Sequence, residues 1–510
     1  MFIYKIRDDD VYLIYHPGET NVKVGAQFIV KEAHESEKDN AIIIQIIANE
    51  TLDYPGIIQE IIQDSLEETF RIENKTLYDR EPAFADVKSL KVAHAKIRKQ
   101  VTKDEISNWE GWIPTRLVKI EELTNQSVIK NIIITDELKF PLDICEFDNQ
   151  NLSMDATKLD MINVITGVKG SGKSHTAKNI LLRLTKLGVP CIVFDINNEY
   201  KFDNAIDLEF GESFKLDMST MKPEDVANII LSLQPTSDKT AEAFSTNIVD
   251  IFEMYKQKAK QKNKKFKMDI EILMQKQNIE RLIPGDTNKQ RYIATQRSIL
   301  QDTLQKIKYR GYFIDHQKDD QQNFIDHYNE CSKGEKFIRF DLSNLPNKVR
   351  KILVQAVNKQ IENICEKQTK HATYLYPFVF FEEAHIYIEE NAILDFITRG
   401  RHIGIRMFFM TNTPDMLPEM VYRQLDNLFL LKLTHSSDIK HVSKSSFTDE
   451  ETVKNMATRM PDHHMLVVGN ITNNYPLVVK GSPLPDGTPA TGVTRPLWKG
   501  LEQRKLASLG

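Results

Sequence analysis

The sequence predicts an α/β chain: a parallel sheet flanked by helices, interrupted by a helical insertion and preceded by a small N-terminal β-barrel. Three observations carry that expectation. A glycine-rich loop stands between an apolar strand and a helix at residues 161–180, MINVITGVKGSGKSHTAKNI. Two further apolar runs, CIVFD at 191–195 and YPFVFF at 376–381, lead into acids, as strands buried on both faces do where they meet a ligand crevice. Residues 1–50 break instead into short β-branched and aromatic runs separated by turn residues.

In chain order, residues 2–6, 11–15, 22–30 and 41–48 are the first strand candidates, punctuated by Asp8-Asp9-Asp10, Pro17-Gly18 and the polar run 34–40. Pro55-Gly56 opens an amphipathic helix to about Phe70, with Ile57, Ile58, Ile61, Ile62 and Leu66 on one face. Residues 90–101 supply another strand, and Trp109, Trp112 and Pro114 mark an irregular stretch. Helical residues to about Lys130 and a strand at 132–135 then lead into the glycine-rich loop. Residues 1–140 carry no recognisable chemistry and suit an assembly or interaction domain.

Residues 167–174 spell G-x-x-x-x-G-K-S. Gly167, Gly170 and Gly172 admit backbone angles that side chains resist, so the loop can curl with its N–H groups toward phosphate oxygens. The following helix adds free N–H groups and the positive end of its dipole. The candidate nucleotide contacts are Gly167, Val168, Lys169, Gly170, Ser171, Gly172, Lys173, Ser174 and His175. Lys173 would reach the β- and γ-phosphates, and Ser174 would supply an oxygen to Mg²⁺. A chance glycine turn is the bland alternative; a strand before and a helix after argue against it.

Beyond residues 191–195, Asp195 and Glu199 are site candidates, with loop capping as the competing role. Residues 219–334 turn helical and polar and are expected to form the insertion. Residues 256–267 hold seven lysines, a solvated run or a phosphate-contacting one. Residues 336–341 form the next core strand and 347–366 a long helix. Residues 376–381 then deliver Glu382 and Glu383: the first acid holds the Mg²⁺ shell, and the second polarises the attacking water. The usual first acid is Asp, one methylene shorter. Residues 406–410 form another buried strand, and Asn412 at its tip is placed to sense the γ-phosphate. Residues 428–433, 464–468 and 475–479 complete the sheet. The Gly- and Pro-rich tail from 481 is expected to bridge subunits.

With 510 residues and 41% hydrophobic content, the chain has ample core for about three domains. A net charge of −5 excludes a protein that coats nucleic acid through overall basicity, but not a ring with a local basic channel. Cys145, Cys191, Cys331 and Cys365 match no zinc or redox spacing; Cys191 and Cys365 suit reduced core thiols. The N-terminal residues lack a signal-peptide pattern, and no run reaches the roughly 18 apolar residues of a membrane span, so a soluble cytoplasmic protein without a membrane partner is expected.

The order GVKGSGKS, VFDINNEY, FFEEAH, RGRHIG and MTNTPDMLP resembles the HerA-like ATPases of the HerA–FtsK group over roughly residues 1–490. The resemblance implies a RecA-like P-loop core of the additional-strand, catalytic-glutamate type. It divides the chain into an assembly domain at 1–140, a core at 141–218 and 335–480, the insertion at 219–334 and an inter-subunit tail at 481–510. It further implies a homohexamer that hydrolyses ATP with Mg²⁺ and translocates or unwinds double-stranded DNA beside a nuclease or antiphage effector. Carried over, Lys173 and Glu383 are catalytic, Ser174 and Glu382 serve the metal, and Arg401, ahead of Arg399, is the γ-phosphate arginine. Asn412 stands where the family commonly has Gln. Where the family has a basic residue serving the neighbour's ATP, this chain has Met161, with Lys158 nearest, and the trans finger stays unassigned. The alternative is an ATP-dependent hexameric scaffold that assembles an effector, a nuclease or a sirtuin-like NAD-consuming protein, with little translocation. The roughly 210 residues between Lys173 and Glu382, and the Glu382-Glu383-Ala384-His385 strand tip, argue against a small-molecule kinase.

Overall fold

The computed structural model describes residues 1–16, 22–32, 40–51, 91–102, 105–114, 118–123, 126–134, 137–233, 238–285, 289–316, 324–372, 375–386, 390–445, 447, 449–485 and 488, with the side chains of 238–240, 348, 390–395 and 401 outside that description. The predicted helix from Pro55 and most of the tail lie outside the described residues. The chain divides into two units, 1–155 with 429–482 and 156–428 with 483–510.

The first unit opens with β1 (Phe2–Arg7), β2 (Asp10–Tyr15), β3 (Gln27–Glu32), β4 (Asn40–Thr51), β5 (Lys91–Thr102), β6 (Glu105–Ser107) and β7 (Val118–Glu122). They form an antiparallel sheet in the order β1-β2-β5-β4-β3-β7, with β6 on β5. Among the described residues the hydrogen-bonded ladder runs from β1 to β7. Alternate residues Val11, Leu13, Ile42, Ile44, Ile46, Ala93 and Ala95 fill its core from one face, while β4 is buried on both faces from Ala41 to Ile47.

The strand expected at 132–135 is not formed at Ile132 and Ile133, which end the helix Gln126–Ile133. Ile129, Ile132 and Ile133 are all buried at helical spacing, which outweighs the β preference of isoleucine. The sequence reading also passed over the hairpin β8 (Pro141–Phe147) and β9 (Gln150–Asp155). Its turn, Asp148-Asn149, has φ of 49° and 59°, the backbone that a tight two-residue hairpin needs.

The second unit holds β10 (Ile162–Thr166), β11 (Cys191–Asp195), β12 (Ala205–Glu209), β13 (Phe337–Asp341), β14 (Phe378–Phe381) and β15 (Arg406–Thr411). All six run parallel in the order β12-β13-β11-β14-β15-β10. β15 therefore separates the loop-bearing β10 from the acid-tipped β14. The strands are apolar along their length because helices cover both faces of such a sheet. Phe194, Phe381 and Phe409 stack across β11, β14 and β15 at 5.3 Å, and Phe380 on Phe408 at 4.6 Å. β12 was not expected: it buries fully only Leu208.

Between β12 and β13 lie the helices Pro223–Ser232, Asp238–Gln261, Ile270–Met274, Lys276–Leu282, Gln290–Arg310 and Phe324–Cys331. The seven lysines of 256–267 are all exposed. They cluster about the end of Asp238–Gln261, where Asn263 (φ 50°) reverses the chain and the Lys264 N–H returns to the Ala259 carbonyl at 2.9 Å. β16 (Asn427–Leu430) follows, and in the first unit β17 (His464–Gly469) and β18 (Leu477–Gly481) form an antiparallel pair whose β18 also pairs β8. The strand expected at 475–479 is thus an inner strand. All four cysteines are buried and free, and burial pushes Cys331 and Cys365 up to about 12. Among the described residues no helix is long and apolar enough to cross a membrane.

Candidate functional site

The parallel register brings the C-terminal tips of β10, β11, β14 and β15 side by side, and the predicted site residues hang from those tips. After β10 the loop turns through Gly170 (φ 83°) and Gly172 (φ 110°). A Cβ at Gly170 would meet nothing within 4 Å, so backbone conformation rather than space demands glycine there. Gly172 caps the helix Lys173–Lys186 without a side-chain hydrogen bond, which leaves the first-turn N–H groups toward the loop. Ser171 Oγ donates to the Val168 carbonyl at 2.8 Å, and Lys173 Nζ donates to the same oxygen at 3.0 Å. Lys169 is exposed; Ser174 and His175 are half-buried. Burial lowers the pKa of Lys173, against the pull of Glu383 first, then Glu199 and Glu382. Lys173 and both acids of the β14 tip therefore share one electrostatic neighbourhood.

Glu382 is buried, and its carboxyl reaches the loop after β11. Ile196 N–H and Asn197 N–H donate to Oε2 at 2.8 and 3.1 Å, and Asn197 Nδ2 donates to Oε1 at 3.1 Å. Burial, then the charge of Asp195 and a hydrogen bond with it, push Glu382 well above the usual carboxyl range. Among the described residues no group of three or more His, Cys, Asp or Glu is spaced to hold a metal on its own.

Asp195 is wholly buried and caps its loop: it accepts from the N–H groups of Glu199 and Tyr200 at 3.1 and 3.0 Å. It also accepts from Arg339 Nε at 2.6 Å. Arg339, on β13, was missed as a contributor. Its guanidinium also donates to Asp207 (2.9 Å), Asn198 Oδ1 (2.5 Å) and Asp341 (3.1 Å), so one buried cation ties the tips of β11, β12 and β13. Burial works against that charge, but the charge of Asp195 and the bonds to Asp195 and Asp207 raise its pKa overall. An arginine inside the apolar run KFIRFD was the available signal. Lys178 was also missed. It is buried on the helix Lys173–Lys186, its ammonium 5.2 Å from the Tyr200 ring centre and 5.4 Å from that of Phe202. Glu199 Oε2 is buried and accepts no hydrogen bond from the described residues.

Glu383 sits at φ 46°, a left-handed backbone that a side chain adopts at a cost. Its Oε1 accepts from Asn412 Nδ2, and the Asn412 N–H lies 3.4 Å from Oε2. Asn412 thus meets Glu383 directly. Arg401 and Arg399 lie on the helix Glu390–Ile403, and the side chain of Arg401 is outside the described residues.

Residues 144–361 match the family described as "Helicase HerA, central domain". The DNA double-strand break repair helicase HerA of Sulfurisphaera tokodaii is 22% identical over 339 residues, 62% of this chain and 63% of that protein. The HerA protein of Saccharolobus solfataricus is 22% identical over 330 residues, with the same coverage. The chain therefore spans about 63% of the length of the curated relatives it matches. Among solved structures, VirB4 of Thermoanaerobacter pseudethanolicus aligns with a TM-score of 0.48 at 15% identity, covering 69% of this chain and 98% of that one. The likeness to HerA drawn from the motifs is thus shown, as a match of residues 144–361 to the HerA central domain.

Proposed function

We propose that the chain hydrolyses ATP with Mg²⁺ and uses it to move double-stranded DNA, as a homohexamer acting beside a nuclease or other effector protein. The observation that carries the reading is the convergence of Lys173 with Glu383 at the C-terminal edge of one parallel sheet, on strands separated only by β15. The loop 167–172 and the open helix N-terminus suit a polyphosphate, with Lys173 countering its charge. Glu383 accepts a proton from the attacking water. Ser174 would hold Mg²⁺, with Glu382 in its water shell; the bound ion neutralises charge on the phosphates. Arg401 is assigned to the departing phosphoryl group. An arginine supplied by a neighbour requires a head-to-tail contact, and six subunits close such contacts into a ring. Residues 1–140 serve assembly in this reading, and 219–334 are an insertion. The relatives' description as DNA double-strand break repair helicases supports DNA as the substrate.

Two measurements test this. Glu383→Gln is expected to bind ATP normally and hydrolyse it on the order of 10²-fold more slowly, while duplex DNA stimulates the wild-type ring. Wild-type turnover in Glu383→Gln overturns the base; turnover indifferent to DNA overturns the motor. Replacing four or more lysines of 256–267 with serine should lower DNA affinity and flatten its salt dependence if the exposed turn contacts phosphates. An unchanged salt slope assigns those lysines to solvated surface.

A further inference from the structure

Asn412 stands at a strand tip where a polar side chain is expected to sense the γ-phosphate, but its contacts point to the neighbouring acid. Nδ2 donates to Glu383 Oε1, and the backbone N–H lies 3.4 Å from Oε2 of the same carboxylate. An ionised carboxylate only accepts hydrogen bonds, so the amide must present its nitrogen. The amide oxygen is then turned the other way, where it is buried and accepts nothing from the described residues. The backbone restrains Glu383 as well: at φ 46°, its carbonyl accepts from the Ile386 N–H at 2.9 Å.

A second chain of contacts supports the same acid. Thr166 Oγ1 donates to the Thr411 carbonyl at 3.1 Å, which ties β10 to β15 just before Asn412. The Thr413 N–H donates to Thr411 Oγ1 at 3.0 Å, and that hydroxyl lies 3.0 Å from His385 Nδ1. With the amide donating to it, the hydroxyl is free to give its own proton to Nδ1 of a neutral ring. Nδ1 is 3.6 Å from Glu383 Oε2, so a neutral ring packs beside the carboxylate without pairing with it. Burial lowers the His385 pKa, against Glu383 and Asp415, and keeps the ring neutral near pH 7. Among the described residues, Asn412 is thus the donor to Glu383 on this side.

From this geometry we propose that Asn412 is a positioning residue for Glu383 and not a contact to the γ-phosphate. Its Nδ2 aims the carboxylate at the water that Glu383 deprotonates. That water passes one proton to Glu383 while its oxygen bonds to the γ-phosphorus and the bond to the ADP oxygen breaks. The inference rests on Glu383 being the base.

A double-mutant cycle separates the two roles. Single-turnover hydrolysis and the affinities for ADP and a non-hydrolysable ATP analogue are measured for wild type, Asn412→Ala, Glu383→Gln and the double variant, with thermal melting as a check of folding. Asn412→Ala should slow hydrolysis about tenfold to a hundredfold, as for loss of one hydrogen bond to a charged group, with the ATP-analogue to ADP affinity ratio unchanged. In the Glu383→Gln background the same substitution should cost nothing further. If Asn412→Ala does not fold, Asn412→Leu nearly keeps the size, removes the donor without adding charge and should show the same pattern. A selective loss of ATP-analogue affinity, or additive losses in the double variant, overturns the positioning role. Wild-type turnover in Glu383→Gln alone overturns the base reading instead, and the two failures are distinguishable.

Discussion

Lys173→Ala is expected to abolish ATP turnover, with a loss of about 10²- to 10³-fold or more, and to leave the fold intact. The loss follows from removing a charge-assisted contact to the transferring phosphate. The fold survives because the recorded hydrogen bond of the ammonium group goes to the Val168 carbonyl, inside the same loop. Burial already disfavours that charge, so alanine relieves a desolvation cost while removing the cation that faces Glu383, Glu199 and Glu382. Far-UV circular dichroism and melting should match wild type, and nucleotide titration should show lost or greatly weakened binding. Retained turnover would end the assignment of residues 167–174 to a nucleotide.

Arg339→Ala should be the most destabilising single change at the site, at about 3–5 kcal/mol, because it leaves a buried anion without its cation. Asp195 is fully buried, and its bond from Arg339 Nε is the shortest of the three that the guanidinium makes to carboxylates. Asn198 and the tips of β12 and β13 lose their common partner as well. The consequence reaches the chemistry, since the N–H groups of Ile196 and Asn197 that hold Glu382 belong to the loop Arg339 anchors. The penalty should depend on pH. Burial would raise the Asp341 pKa, but its bonds from Ser343 and the charge of Arg339 hold it below the usual aspartate value. A depressed carboxylate pKa contributes stability above the unfolded value of about 4, and that stability is lost as pH falls through the folded value. The difference in melting temperature between Arg339→Ala and wild type should thus be largest near pH 7 and shrink toward pH 3. Arg339→Lys should recover only part of it, since one ammonium cannot span the partners that a planar fork reaches. A melting temperature unchanged at pH 7 would remove Arg339 from the framework of the site.

Much of this was legible from local sequence. The glycine-rich loop is spelled by neighbours in the chain: an apolar strand before, a helix after, and left-handed angles at Gly170 and Gly172 that only glycine adopts freely. The strands ending at Asp195, Phe381 and Thr411 were visible for a similar reason, since a strand buried on both faces must be apolar throughout. Short-range pattern failed where two preferences competed. Isoleucines 129, 132 and 133 favour strands as residues but helix by spacing, and burial of one face decided for helix. The hairpin at Asp148-Asn149 was signalled by its turn residues, yet its strands are polar enough to escape notice.

What lay beyond the sequence was which charged groups meet. Asp195 looked equally suited to loop capping and to the site, and the tertiary structure makes it the cap of its loop and the partner of Arg339, 144 residues away. Glu382 finds Asn197 at a separation of 185 residues, and Asn412 finds Glu383 at 29. Such pairs follow from strand order, and order in a parallel sheet is set by how the crossover segments pack, which no period along the chain records. Backbone preference and apolar periodicity act between near neighbours and are written locally. The match of a buried charge to its counter-charge is enforced only when folding removes both from water, so it is written in the packed structure.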